Sequence, residues 1–218
     1  MSPKKSTMWR AAALVLALPL LLGACASDDS SDQGSDSSAP SAESDAPSPD
    51  LAEDRTWTGT MVIGGESVEI SLDGEQAPQA VASFVTLAED GFFDGLTCHR
   101  LTTAGIYVLQ CGDPEGTGSG GPGYSFGPVE NDPADGVYPA GTIAMARLGG
   151  DGYSNGSQFF LVYQESTIPS DSAGGYSVFG AITGGLDVVE KIAAAGVAGG
   201  GSDGTPAAPA EIDSVVVE

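Results

Sequence analysis

Residues 57–63 and 68–72 are short β-rich runs, and in the second apolar and polar residues alternate, Val68, Ile70 and Leu72 being separated by Glu69 and Ser71. Successive strand side chains point to opposite faces, so this period of two predicts a hairpin with one face buried, turned at Gly64-Gly65-Glu66. Pro78 then stands where a helix can begin, and Val81, Phe84, Val85 and Ala88 recur at helical spacing until Gly91 ends the pattern. That stretch predicts one amphipathic helix. Strand candidates follow at 96–101, 106–110, 142–147, 158–163 and 177–179, then a second short helix at 187–195, a glycine-rich loop and a last strand at 212–217. Many short strands with two helices predict a mainly β domain in which the sheet closes on itself, since closure removes exposed edges. No internal repeat interrupts this reading.

The first residues follow another pattern. Lys4, Lys5 and Arg10 make a positive start, and 11–22 is apolar but shorter than the roughly 18 to 20 residues that span a bilayer. Residues 1–24 therefore read as a signal peptide. It ends in Leu22-Gly23-Ala24-Cys25, which resembles the bacterial lipobox, where the cysteine becomes an acylated new N-terminus. Ordinary secretory cleavage is the alternative, because Ala24-Cys25-Ala26 also offers small residues at the right spacing. Residues 25–54 are Ser, Ala, Pro and acid with little to bury, a composition that does not offset chain entropy and predicts a disordered tether. As a flexible coil this segment reaches on the order of 30 Å, and like charges extend it. A calcium-binding role for its acids lacks a ligand-spaced loop. Residues 55–218 form the folded domain on this division.

Seven Lys+Arg against 30 Asp+Glu give a formal charge of −23, which repels nucleic-acid backbones and anionic lipid surfaces. Several common chemistries also fail. Gly116, Gly118 and Gly121 match a dinucleotide fingerprint literally, but the segment runs into Pro122-Gly123 and no helix follows to bind phosphate. Two Gly-x-Ser-x-Gly matches, at Ser125 and Ser154, lead into no helix and have no later histidine, His99 being the sole histidine of the chain. Cys98, His99 and Cys111 lack the paired spacing of a zinc site. So sparse an acid–base inventory favours a reaction that needs neither nucleophile nor metal, and no cofactor is expected.

Five blocks in order carry a resemblance. They are Phe92-Phe93-Asp94-Gly95-Leu96-Thr97-Cys98-His99-Arg100; Gln110-Cys111-Gly112-Asp113-Pro114 with the glycine loop after it; Gly141-Thr142-Ile143-Ala144-Met145-Ala146; Asn155-Gly156-Ser157-Gln158-Phe159-Phe160; and Tyr176-Ser177-Val178-Phe179-Gly180. Together they resemble the cyclophilin family of peptidyl-prolyl cis/trans isomerases, from about Trp57 to the C-terminus. The resemblance implies a closed eight-stranded antiparallel barrel capped by two helices, and an enzyme that assists the folding of exported proteins at X-Pro bonds. It implies proline-containing clients, no cofactor and no metal, with the export signal adding a lipid anchor on the outer face of a bacterial membrane. A monomer is expected.

Rotation about X-Pro is resisted by amide resonance, a barrier of roughly 18 to 20 kcal/mol. A catalyst has to seat the ring in an apolar pocket and stabilise the twisted amide, whose nitrogen recovers its lone pair. A guanidinium suits that task, with its fixed donors and permanent charge. By the family match Arg100 is this residue. The same match seats the ring on Tyr107, Val108 and Phe160, and gives Gln110, Ala146, Arg147 and Gln158 to the substrate backbone beside Ile168 and Tyr176.

Departures from the family pattern are local. Two extra residues lie between Arg100 and Gln110, so a longer turn at 102–105 is expected to rim the groove; Tyr176 stands where many members have His, Arg147 where many have Asn, and no Trp lies near Ile168. A proline-binding module without turnover, a chaperone or adaptor, is the alternative function these changes keep open. With Cys25 assigned to lipid, Cys98 and Cys111 remain in an oxidising compartment. If the strands pair about the 103–106 turn, Cys98 faces Cys111, which predicts a cross-strand disulfide; two buried thiols are the alternative.

Overall fold

A computed structural model describes residues 45–218. The expected signal peptide, Cys25 and the first part of the tether lie outside the described residues.

The predicted hairpin forms from β1 (Thr56–Ile63) and β2 (Glu66–Asp73), paired in register from Thr56 opposite Asp73 to Ile63 opposite Glu66. Gly64 and Gly65 make its two-residue turn at φ 58° and 82°, a pair of left-handed conformations that glycine adopts without a Cβ clash. Helix α1 (Pro78–Glu89) buries Val81, Phe84, Val85 and Ala88. Its N-terminus has no local cap; the Glu130 carboxylate, far along the chain, accepts from the N–H groups of Gln79 and Ala80 at 3.0 and 2.9 Å. A carboxylate there satisfies orphan donors and sits at the positive end of the helix dipole.

The chain continues as β3 (Leu96–Thr97), β4 (Arg100–Thr102), β5 (Val108–Cys111), β6 (Val137–Tyr138), β7 (Thr142–Met145), β8 (Phe159–Val162), β9 (Ser166–Thr167), β10 (Val178–Gly184), α2 (Leu186–Ala194), β11 (Asp203–Gly204) and β12 (Glu211–Val217). Among the described residues ten strands make one antiparallel sheet in the order β11-β4-β5-β8-β7-β10-β2-β1-β12-β3, and β6 pairs with β9 in a small second sheet. The large sheet curls into a half-barrel.

Ten strands thus stand in this sheet where eight are expected. The strand predicted at 96–101 breaks at Cys98-His99 into β3 and β4, which pair with different neighbours, β12 and β5. The short β11 then adds itself to β4.

The domain boundary also moves upstream. Pro49–Ala52, placed by sequence in the tether, forms a 3-10 turn capped by Ser48. Ala52 is buried, and its carbonyl accepts from the Trp57 indole N–H at 2.9 Å. The Gln79 side chain donates to the Pro47 carbonyl at 2.8 Å. Ala46 and Ala52 pack against the main core and two backbone carbonyls accept from Trp57 and Gln79, so this stretch is held against the domain despite its acidic composition.

Both faces of the central strands are covered. Leu109, Cys111, Ile143, Met145, Phe159 and Leu161 join the main core, where Phe84 meets the rings of Phe93, Phe159 and Phe179 at 4.9, 5.4 and 5.3 Å. Their neighbours in sequence, Val108, Ala144, Phe160 and Val162, form a separate apolar cluster with Tyr138 on the opposite face. The pleat sends alternate residues to the two clusters, so β7 and β8 read as unbroken apolar runs.

Cys98 and Cys111 are joined as a disulfide. The ladder pairs Arg100 with Gln110, one residue off the pairing that sets Cys98 straight across from Cys111, and the break after Thr97 lets Cys98 reach its partner.

Candidate functional site

The second apolar cluster opens to solvent through a cavity of about 180 Å³ lined by Arg100, Ile106, Val108, Gln110, Ala146, Arg147, Phe160, Ile168 and Tyr176. Its floor follows from strand register. Gln110 and Ala144 both lie opposite Phe160, which places the Phe160 ring at the middle of three adjacent strands. Phe160 is 5% exposed and Val108 2%, so the floor is dry apart from the opening. Tyr176 meets the Phe160 ring edge-on at 5.5 Å and 83°.

Tyr107, expected in this pocket, is not part of it. The extended chain leading into β5 continues its alternation, turning Ile106, Val108 and Gln110 to one side and Tyr107 to the other, where its ring packs edge-on against Tyr163 at 6.0 Å. Ile106 takes the place expected for Tyr107, and the alternation with Val108 and Gln110 is the signal that finds it. The longer turn does not rim the cavity either: Thr103 donates its N–H to the Ser202 carbonyl at 2.8 Å and lines the far cavity beside Tyr107.

Arg100 stands at the mouth, held by residues that its local sequence does not reveal. Its Nε and Nη2 donate to the two Asp203 carboxylate oxygens, both at 2.8 Å, and Nη1 donates to Gln110 Oε1 at 3.2 Å. Gln110 passes its own amide N–H to Gln158 Oε1 at 2.8 Å, and Gln158 donates to the Gly120 carbonyl at 2.9 Å. The fork-to-fork pair fixes the guanidinium plane and leaves donors on the two terminal nitrogens for a ligand. Hydrogen bonding to Asp203 raises the Arg100 pKa, and the same bond holds the Asp203 carboxyl below its ordinary value. Both stay charged through the physiological range. Asp203 lies in the glycine-rich loop after α2, a hundred positions away, and only the pairing of β11 with β4 brings it here.

Gln110, Ala146 and Arg147 also line a neighbouring cavity of about 400 Å³, where Gln158 joins them and which is bounded by the glycine loop, Leu148 and Tyr153. The amides of that loop are used internally: Asp113 accepts from the N–H groups of Glu115, Thr117 and Gly118. Burial raises the Asp113 pKa, but these backbone donors outweigh it and leave the carboxyl below its usual value. The Gly116–Gly121 match is thus a wrap around a carboxylate.

Arg147, expected to contact substrate, lines both cavities but offers them no free side-chain donor. Its side chain is 1% exposed and all its donors are taken: Nε by the Gly175 carbonyl, Nη1 by the Leu148 carbonyl and Asp171, and Nη2 by Asp171 and the Gly174 carbonyl. Neither ring nitrogen of His99, next to Arg100, has a hydrogen-bond partner among the described residues. Burial is the main cause of its lowered pKa, opposed by Asp113 and reinforced by Arg100. Among the described residues no three His, Cys, Asp or Glu side chains converge as metal ligands.

Fold and site together define the class, a curled antiparallel β domain with two helices that carries a small apolar cavity, with a charged donor fixed at its mouth, on the face of the sheet opposite the main core. The model of the family described as "Cyclophilin type peptidyl-prolyl cis-trans isomerase/CLD" matches residues 59–217, and the chain belongs to that family. The "Probable peptidyl-prolyl cis-trans isomerase B" of Mycobacterium tuberculosis is 46% identical over 173 residues, covering 73% of this chain and 54% of the relative. The chain thus spans about half the length of that mycobacterial relative. "Peptidyl-prolyl cis-trans isomerase B" of Bacillus subtilis is 40% identical over 137 residues, covering 62% of this chain and 90% of the relative. Among solved structures, a cyclophilin-type isomerase of Cryptosporidium parvum superposes with a TM-score of 0.63 at 24% identity, over 75% of this chain and 98% of its own.

Proposed function

We propose that this chain accelerates cis/trans rotation about X-Pro peptide bonds. The observation that carries the reading is the Arg100 guanidinium, fixed by Asp203 and Gln110 at the mouth of an apolar cavity floored by Phe160 and Val108. The ring of a proline enters the cavity and is held by dispersion and burial, while the polar backbone on either side stays at the rim. When the bond twists, resonance is lost and the nitrogen becomes pyramidal; a donor waiting at that point binds the twisted amide more tightly than the planar one. A thousandfold acceleration requires about 4 kcal/mol of such preference, within reach of charge-assisted hydrogen bonds in a partly dry site. No covalent bond is made or broken, and no proton needs to leave Arg100.

The relatives' names support this reading, and a second structure of the C. parvum isomerase was obtained in the presence of the dipeptide Ala-Pro. Clients at the outer face of a bacterial membrane follow from the charged and apolar start of the chain and from Leu22-Gly23-Ala24-Cys25, which support export and acylation at Cys25. Loss of fatty-acid labelling in Cys25→Ala is the expected outcome there, and an unlabelled wild type would remove the anchor. We also read β3 and β4 as one interrupted strand through which the sheet closes.

The full chain is expected to speed the cis-to-trans relaxation of Ala-Pro and Phe-Pro tetrapeptides in a catalytic, concentration-proportional manner. A folded wild type that binds these peptides without accelerating them would transfer the reading to a proline-binding module.

A further inference from the structure

The wall of the cavity is the segment that carries Ile168 and Tyr176. Its start is held by β9 pairing with the two-residue β6, by the Ile168 N–H donating to the Gly136 carbonyl and by Ser166 Oγ accepting from the Tyr107 N–H, both at 2.8 Å; its far end is held at Ser177, which accepts from the N–H groups of Met145 and Glu130. Between these ends the turn bridges to itself between Asp171 and Gly174, and two further ties fix the residues next to the Tyr176 ring. On one side Tyr138 Oη accepts from the Tyr176 N–H at 2.8 Å, and Asp132 accepts from the Gly175 N–H at 2.7 Å. On the other side stands Arg147.

That second tie uses every donor the residue has. The guanidinium bridges the Gly174 and Gly175 carbonyls to both oxygens of Asp171 and back to the Leu148 carbonyl, at distances from 2.7 to 3.1 Å. Asp171 in turn accepts from the N–H groups of Gly150 and Ala173, both at 2.8 Å, so its carboxylate joins the loop after β7 to the wall. The Arg147 carbon also lies 4.9 Å from the centroid of the Tyr176 ring, the ring that faces Phe160. The backbone at this point tolerates little else: a Cβ on Gly175 would stand 2.7 Å from Tyr138 Oη, and Gly174 has φ +99°.

We infer that Arg147 and Asp171 form a clamp that sets the width of the proline pocket, acting as positioning residues for Tyr176 rather than as contacts to substrate. The inference rests on the isomerase reading of the same cavity. Its consequence is selectivity for ring size. A pocket fixed at five-membered width discriminates against one additional methylene by about tenfold or more, and a loosened wall loses part of that discrimination.

The test uses the full chain with Asp171→Asn, Arg147→Met and the double variant, on an Ala-Pro tetrapeptide and its pipecolyl counterpart, whose ring is one methylene larger. Asp171 is more than a third exposed, so its Asn variant removes the charge without opening the core. For Asp171→Asn the prolyl KM is expected to rise with kcat little changed. The prolyl-to-pipecolyl ratio of kcat/KM is expected to fall at least about threefold. The double variant should then shift the ratio no further than Arg147→Met alone, because both act through one clamp. Folded variants that keep the wild-type ratio would overturn the clamp, as would additive shifts. If the wild type turns over neither peptide, the isomerase reading fails by itself; dissociation constants for the same two peptides then carry the test, and the clamp requires their ratio to move in the same direction.

Discussion

Arg100 and Arg147 border the same cavity, and each is paired with an aspartate from a distant loop, yet the two are used in opposite ways. Arg100 is partly exposed; Asp203 grips one edge of its guanidinium and donors remain at the mouth. Arg147 is enclosed, and carbonyls and Asp171 consume its whole donor set. A guanidinium with spare donors can stabilise a changing amide, whereas one with none can only hold a shape. Their tethers differ as well. The strand bearing Arg100 is tied covalently through Cys98 and Cys111, while the wall behind Arg147 depends on ionic and hydrogen-bonded contacts.

The comparison can be broken most forcefully at the floor both residues share. Phe160→Ala empties the centre of the smaller cluster and is expected to cost about 3–5 kcal/mol of stability, read from the denaturant midpoint. A loss below about 1 kcal/mol would mean that the floor is not packed as described. Next comes the covalent tie: Cys98→Ala with Cys111→Ala should lower stability by about 3 kcal/mol, as expected for a loop this short. Thiol titration of the unfolded, unreduced wild type should find neither of these cysteines reactive. Asp203→Asn sharpens the contrast on the Arg100 side, with an expected fall in kcat/KM of about tenfold and a stability change within about 0.5 kcal/mol, because the pair is exposed. In an Arg100→Ala background the same substitution should have no further effect.

The smallest expected effect is in the pH profile. Asp203 has a depressed folded-state pKa, so its contribution is present above the unfolded carboxyl value and is lost only as pH falls through the lower folded one. His99 is depressed too, and for an imidazole this means that the neutral form suits the fold. Stability is then lost below the ordinary value of about 6.5, where the unfolded chain takes up a proton that the folded one resists. Activity is therefore expected to be flat from about pH 7 to 9, and the His99 contribution is a shallow loss of stability on acidification that Asp203→Asn leaves in place. Glu130, whose pKa is raised by burial, acts in the opposite direction, so the His99 part is read as the stability difference between wild type and His99→Gln; a difference that does not fall from about pH 7 to 5 would contradict the burial assigned to His99.

The parts of this molecule with periodic local signals are legible in its sequence. The 56–73 hairpin, α1, α2 and β12 fall within a residue or two of their predicted spans, because alternation, a starting proline and terminating glycines are local features. The β6, β9 and β11 strands have two residues each, too few to show any period. The break at Cys98-His99 comes from pairing with two different partners, which the uniform run at 96–101 does not display. In the site, Arg100, Val108, Gln110, Ala146, Phe160, Ile168 and Tyr176 were all named from the resemblance, and the cavity brings them together. Tyr107 failed because an alignment counts positions while a pleat assigns faces. Asp203 and Asp171 had no sequence signal, since acids are abundant throughout a chain with a formal charge of −23. Arg147 borders the cavity as the resemblance implies, but the carbonyls of Gly174 and Gly175, which occupy two of its donors, have no sequence signal.

The central claim is that Arg100 supplies turnover while the cavity supplies binding. It is tested most directly by exchange spectroscopy on an Ala-Pro peptide saturated with the full chain, comparing wild type with Arg100→Ala at equal folded concentration. The account predicts that the bound exchange rate falls by about a hundredfold to a thousandfold while the dissociation constant changes by less than about fivefold. An exchange rate unchanged in the folded variant would contradict it.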